Sequence, residues 1–78
     1  MTPPADTLVV LSTPTCHRCK FVARHLDAKG VEYEYIDVTT DPDWRGYMDD
    51  NDLKNVPQTV RGDQRVEGVD LDAINRLF

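Results

Sequence analysis

Both cysteines of this 78-residue chain fall within four residues, Cys16-His17-Arg18-Cys19, a few positions behind the uninterrupted apolar run Leu8-Val9-Val10-Leu11. That juxtaposition constrains the fold more than any other feature. A strand that is apolar at every position has no solvent face, so it belongs inside a sheet covered on both sides. Two cysteines so close together make a poor structural staple, because bridging them closes a tiny loop and removes little entropy from the unfolded chain. Small secreted domains scatter several cysteines instead. The pair therefore reads as a redox switch near the end of a central strand.

The strand is expected over residues 7–11, and Ser12-Thr13-Pro14-Thr15 is expected to break it and supply hydroxyl caps for a helix starting close to Cys16. Cys19, Val22, Ala23 and Leu26 recur with helical spacing on one face, and Gly30 provides a stop. Residues 31–38, rich in Val, Tyr and Ile, predict a second strand and hence a right-handed βαβ unit. Asp41 and Pro42 mark the cap and first position of a short second helix with Trp44, Tyr47 and Met48 on its buried side. Acidic residues at its end oppose the helix dipole. Gln58–Arg61 and Gln64–Glu67 flank Gly62-Asp63, an order that fits a type II′ hairpin. Asp70 is a cap for a last helix with Leu71, Ile74, Leu77 and Phe78 on one side. The predicted order is β-α-β-α-β-β-α.

A chain of this length holds one core and no elaborate pocket. Residues 1–6 read as a flexible N-terminal tail and 7–78 as the domain. No apolar run approaches the roughly 18 to 20 residues of a membrane span, and the N-terminal residues lack the features of a signal peptide. A soluble, cytoplasmic, monomeric protein is expected, with no membrane partner. The net charge of −5 argues against nucleic acid, whose phosphates are bound by Lys and Arg. The charge is segregated, however: residues 14–30 carry Arg18, Lys20, Arg24 and Lys29 against Asp27, a net +3 that leaves −8 elsewhere.

The order of elements, with Cys-x-x-Cys after the first strand and Val56-Pro57 before the third, resembles the thioredoxin fold in its minimal glutaredoxin form. Ser12 to Cys19 is similar to that family's active-site turn, Tyr33 to Val38 to its second strand, Asn55-Val56-Pro57-Gln58 to its cis-proline loop, and Gly68-Val69-Asp70 to its turn before the last helix. The likeness is greatest to short glutaredoxins and NrdH-type redoxins, the latter being reductants of ribonucleotide reductase. It implies an α/β fold with a four-stranded mixed sheet flanked by helices. It also implies a thiol-disulfide oxidoreductase that reduces protein disulfides or glutathione mixed disulfides. Its partners would be disulfide-bearing proteins, ribonucleotide reductase among them. Thr13, Val56, Pro57, Gly68, Val69 and Asp70 become substrate-binding candidates, with Pro57 facing the active sulfur in cis and Val56 offering backbone to an extended substrate. Glutathione is the expected reductant, because Gly68 and Asp70 are present while Val66 to Leu71 keeps only the glycine of the NrdH signature; thioredoxin reductase is the alternative. No tightly bound cofactor is expected.

Disulfide exchange needs a thiolate, and an ordinary thiol with a pKa of about 8.5 is mostly protonated at neutral pH. At a helix N-terminus the Cys16 sulfur meets unpaired N–H groups and the positive end of the dipole, with Arg18, Lys20 and His17 adding charge. These effects should lower its pKa by roughly one unit or more, which marks Cys16 as the nucleophile. Cys19, on the apolar stripe, stays protonated until a mixed disulfide forms and then resolves it. The competing reading is a zinc- or iron-sulfur-binding module built on the same two cysteines. It has only half a ligand set, and no metal ligand is assigned. His25 lies off the apolar stripe and is expected to be solvated.

Overall fold

The computed structural model describes residues 3–78. Its elements are β1 (Leu8–Ser12), α1 (His17–Ala28), β2 (Tyr33–Asp37), α2 (Pro42–Asp50), β3 (Gln58–Arg61), β4 (Gln64–Glu67) and α3 (Leu71–Asn75). The sheet order is β2-β1-β3-β4. β1 runs parallel to β2, from Leu8↔Tyr33 to Ser12↔Asp37, and antiparallel to β3, with Val9↔Val60 and Leu11↔Gln58. β3 and β4 form an antiparallel hairpin. This is the mixed four-stranded, three-helix architecture expected from the sequence.

The core explains why β1 has no polar position before Ser12. Alternate side chains of a strand point to opposite faces. Val9 and Leu11 pack with Val38, Val60 and the α2 residues Trp44, Tyr47 and Met48. Leu8 and Val10 pack with Val22 and Leu26 of α1 and with Ile74 and Leu77 at the C-terminal end. One strand thus separates two apolar clusters. Each of its four apolar side chains is almost wholly buried.

Helix ends follow local chemistry. Asp41 accepts hydrogen bonds from the N–H groups of Asp43 and Trp44, and Pro42 opens α2, which is nine residues long. Asp70 accepts from Ala73 N–H at the start of α3. α1 stops where Gly30 adopts φ +69°, with Gly30 N–H donating to Asp27 and Val31 N–H to Leu26, two bonds that cover orphan carbonyls. At the hairpin the positive φ of +60° falls on Gly62, the first turn residue, as a type II′ turn requires.

Four local expectations change. Ser12 does not break β1: it is paired with Asp37, and its hydroxyl donates to the Ile36 carbonyl at 2.8 Å. The cap of α1 is no hydroxyl but Cys16 itself. His25 is half-buried, with Nε2 2.7 Å from Asn75 Oδ1, because α3 packs along the flank of α1. Phe78 is 44% exposed, since α3 ends at Asn75 and helical spacing no longer carries residue 78 inward.

Of the six residues read as a tail, Met1 and Thr2 lie outside the described residues. The Pro4 carbonyl accepts from Gly62 N–H at 2.8 Å and the Ala5 carbonyl from Arg61 Nε at 2.8 Å. Among the described residues no helix is long and apolar enough to cross a membrane.

Candidate active site

The site begins in the turn that joins β1 to α1. Cys16 N–H donates to the Thr13 carbonyl at 3.2 Å, which folds the chain back before the helix. Cys16 has extended backbone geometry, φ −86° and ψ 105°, as a cap residue should. Its Sγ takes the place of a capping oxygen and accepts the N–H of Cys19 at 3.1 Å. The same sulfur is joined to Cys19 Sγ in a disulfide, with the two Cα atoms 5.3 Å apart.

The two sulfurs differ in surroundings. Cys16 is partly exposed, whereas Cys19 has no accessible surface and belongs to the stripe with Val22 and Leu26. Cys19 Sγ lies 3.8 Å from the Leu11 carbonyl oxygen, an acceptor for its S–H once the bond is reduced. The environment therefore offers one sulfur to a partner and keeps the other behind it. Cys16 also sits among the unpaired N–H groups of the α1 N-terminus, where negative charge is favoured.

Across from this turn the Val56-Pro57 peptide is cis. Pro57 is buried, and its carbonyl accepts from Gly68 N–H at 2.9 Å. An open groove of about 420 Å³ lies between the two segments, a size suited to a small ligand. Thr13, Thr15, Cys16, His17 and Arg18 line one side; Lys54, Asn55 and Val56 line the other. A second, apolar cleft beyond His17 and Arg18 is bounded by Phe21 and Val69.

The structure thus gathers five of the residues singled out from the sequence, Thr13, Cys16, His17, Arg18 and Val56, around one groove. Val69 borders the adjoining cleft instead. Gly68 reaches the site through Pro57, and Asp70 uses its carboxylate to cap α3. Lys20 is exposed on α1 and lines neither space. The sequence reading places Thr15 in the active-site turn and Asn55 in the cis-proline loop without giving either a site role, and it does not single out Phe21 or Lys54. Asn55 and Lys54 directly precede the Val-Pro motif, which was signal enough; Phe21 is an aromatic off the buried stripe of α1 and 55% exposed.

Gln58 was also missed as a structural support. It has no accessible surface, and its Nε2 donates to the Asn55 carbonyl and to Glu67 Oε1, both at 2.9 Å. Among the described residues no group of three or more His, Cys, Asp or Glu is placed to hold a metal ion. The two sulfurs would have to recruit their remaining ligands elsewhere.

A partly exposed and a buried cysteine paired at a helix N-terminus, across a groove from a cis-proline loop on this sheet, define a thiol-disulfide redox protein of thioredoxin-like architecture. The family model for glutaredoxin matches residues 8–66, and the chain belongs to the glutaredoxin family. It is a thiol-disulfide oxidoreductase of the glutaredoxin and NrdH type. Over 91% of this chain and 88% of the relative it is 25% identical to the glutaredoxin-like protein NrdH of Salmonella typhimurium. It is 36% identical to the prophage-derived thioredoxin-like protein YosR of Bacillus subtilis over a shorter stretch, which covers 46% of this chain and 45% of that protein. The solved NrdH-redoxin of Escherichia coli superposes with a TM-score of 0.83 over 92% of this chain and 95% of the other, at 24% identity, a likeness of fold.

Proposed function

We propose that the protein reduces disulfides by a two-step exchange in which Cys16 is the nucleophile and Cys19 the resolving thiol. The observation that carries this reading is the Cys19 N–H aimed at Cys16 Sγ, 3.1 Å away, with Cys19 itself fully buried. A donor held on the sulfur favours its anionic form, and burial disfavours the anionic form of the other. Cys16 attacks a substrate disulfide, forms a mixed disulfide and releases one substrate thiolate. Cys19 then attacks Cys16, releases the second substrate thiol and closes the Cys16–Cys19 bond, so two electrons and two protons pass to the substrate.

In this reading Val56 presents backbone to an extended substrate, Pro57 faces the reacting sulfur, and Thr13, Gly68, Val69 and Asp70 contribute to the binding surface. His17, Arg18 and Lys20 favour the thiolate by their positive charge. The substrates are protein disulfides or glutathione mixed disulfides, the protein works as a monomer in a reducing cytoplasm, and ribonucleotide reductase is a target by analogy with the NrdH relatives.

Glutathione is the proposed electron source. Thioredoxin reductase is the second reading, favoured by the likeness to NrdH over nearly the whole chain and by the engagement of Asp70 in capping α3. Disulfide reduction coupled to NADPH, with either glutathione and its reductase or thioredoxin reductase as donor, separates them. Turnover with glutathione supports the first; turnover with thioredoxin reductase alone supports the second. Absence of turnover with both, and of any exchange by the dithiothreitol-reduced protein, would sink the redox reading itself.

A further inference from the structure

The carbonyls on either side of Val56 are both held from behind the cis-proline loop. The Pro57 carbonyl accepts from Gly68 N–H at 2.9 Å, and the Asn55 carbonyl accepts from Gln58 Nε2 at 2.9 Å. The same Nε2 donates to Glu67 Oε1, also at 2.9 Å, on the residue paired with Gln58 across the β3–β4 ladder. With its N–H groups directed at two oxygen acceptors, the amide has one orientation only. Turned over, it would set its own oxygen against both of them.

Gln58 has no accessible surface, whereas Asn55 and Glu67 are exposed. Its Oε1 finds no hydrogen-bond partner among the described residues. An apolar side chain of similar size would bury here at less cost, so filling space does not account for the amide. Its donors do, and they connect the end of β4 to a wall of the groove beside Cys16. In a trans peptide the N–H points away from the C=O. Among the described residues only Val56-Pro57 is cis, so holding the Asn55 carbonyl toward the buried amide turns the Val56 N–H to the opposite side. Val56 lines the groove, and among the described residues its N–H makes no backbone hydrogen bond.

We propose that Gln58 is a positioning residue for disulfide exchange: anchored on Glu67, it holds back the Asn55 carbonyl and so presents the Val56 N–H to the backbone of a substrate in the groove. Gln58 serves the exchange chemistry proposed above, on which this inference rests, but touches neither sulfur. Cys16 still forms the mixed disulfide and Cys19 still closes the ring. What the amide changes is how firmly an extended chain is held beside Cys16, not how electrons move.

The test compares two disulfides, each reduced in a single turnover by dithiothreitol-reduced, desalted protein: an uncharged, end-capped peptide dimer, which has backbone to lie along the loop, and hydroxyethyl disulfide, which has none. Either reaction converts one substrate disulfide into two thiols and closes the Cys16–Cys19 bond. Gln58→Leu keeps the bulk and removes the donors. It should raise the half-saturating peptide concentration roughly five- to tenfold, on the order of one hydrogen bond, at an unchanged maximal rate, and leave hydroxyethyl disulfide within about twofold of wild type. Glu67→Ala, at an exposed position, removes only the anchor and should weaken peptide binding by roughly two- to threefold. Glu67→Gln keeps an acceptor oxygen and should behave as wild type. In a Gln58→Leu background, Glu67→Ala should add nothing, because the two residues act as one unit. Equal losses with both disulfides would reduce Gln58 to a structural support and overturn the inference, as would peptide kinetics unchanged in Glu67→Ala, a variant that leaves the buried amide in place. Exchange with neither disulfide in the wild type would instead remove the redox reading, and the inference with it.

Discussion

The backbone N–H of Gly68 donates to the carbonyl of Pro57 at 2.9 Å and so ties the turn before α3 to the cis-proline loop. Gly68 reaches this position with φ +78°, in the left-handed region that favours glycine. The buried amide of Gln58 adds a second tie, from Asn55 on the groove to Glu67 at the end of β4. The loop that faces Cys16 is therefore braced from behind by the β3–β4 hairpin and the residues that follow it.

That brace predicts a pH-dependent defect. Gln58→Glu would place a carboxylate, without accessible surface, against the Asn55 carbonyl and the Glu67 carboxylate. Burial and the like charge both raise the pKa of the new group. Its folded-state pKa then exceeds its unfolded value, so the variant is penalised at neutral pH and recovers as pH falls through the raised value. Urea unfolding should show a deficit of about 3 kcal/mol or more at pH 7. The deficit should narrow near pH about 4.5, close to the ordinary glutamate range. A deficit independent of pH would contradict the placement of the Gln58 amide.

The two cysteines should fail in different ways. Cys16→Ser removes the attacking sulfur, and reduction of peptide disulfides should fall to background. Cys19→Ser leaves attack intact but resolution impossible, so the variant should accumulate a covalent mixed disulfide visible as a mass increase equal to half the substrate. Normal disulfide reduction by Cys16→Ser would reverse the proposed roles.

Arg61 joins both ends of the described chain. Its Nε donates to the Ala5 carbonyl at 2.8 Å and its Nη1 to the Leu77 carbonyl at 2.6 Å. Arg61→Ala removes both charged hydrogen bonds at a partly exposed site and should cost about 1 to 2 kcal/mol in denaturant unfolding. For a domain of this size each kcal/mol lowers Tm by about 4 to 8 °C. Peptide reduction at 25 °C should not change, because Arg61 lies outside the groove. Wild-type stability in Arg61→Ala would show that the clamp contributes nothing.

Tyr33 gives an alkaline signature. Its hydroxyl is 2.9 Å from Asp27 Oδ1 and 3.3 Å from the Ala23 carbonyl. Burial first, and then the hydrogen bond and charge of Asp27, push its pKa up to about 12 from an ordinary 10.0. The folded state keeps a proton that the unfolded state releases between those values. The resulting stabilisation is complete below pH 10.0 and is lost as pH rises through about 12. Tyr33→Phe should remove the absorbance transition near 12 and flatten the alkaline loss of stability; a transition unchanged in the variant would assign it elsewhere.

Features carried by neighbouring residues were legible before the structure. The Asp41-Pro42 and Asp70 helix starts, the Gly30 stop, the Gly62 turn and the apolar β1 strand each arise from preferences that act within a few residues. Even Cys19 could be placed inside from the spacing of its stripe. Two of the four changed expectations are of another kind. Ser12 became strand because β2 supplied Asp37 as a partner, and His25 found Asn75 because α3 lies beside α1. Neither partner is near in sequence.

The same division runs through the site. The order of elements, the position of the cysteine pair behind a doubly buried strand and the positive charge of the helix that bears it are consequences of local propensity and composition, readable residue by residue. Which residues share a groove with Cys16 is not. Lys54 and Asn55 meet Thr13 and Arg18 only because β3 pairs beside β1 and carries the loop preceding it to the end of α1. Strand pairing and the packing of two apolar clusters set that neighbourhood, and they are interactions between segments far apart in the chain. Local signals placed the reacting sulfur; long-range packing supplied the groove in which it would meet a substrate.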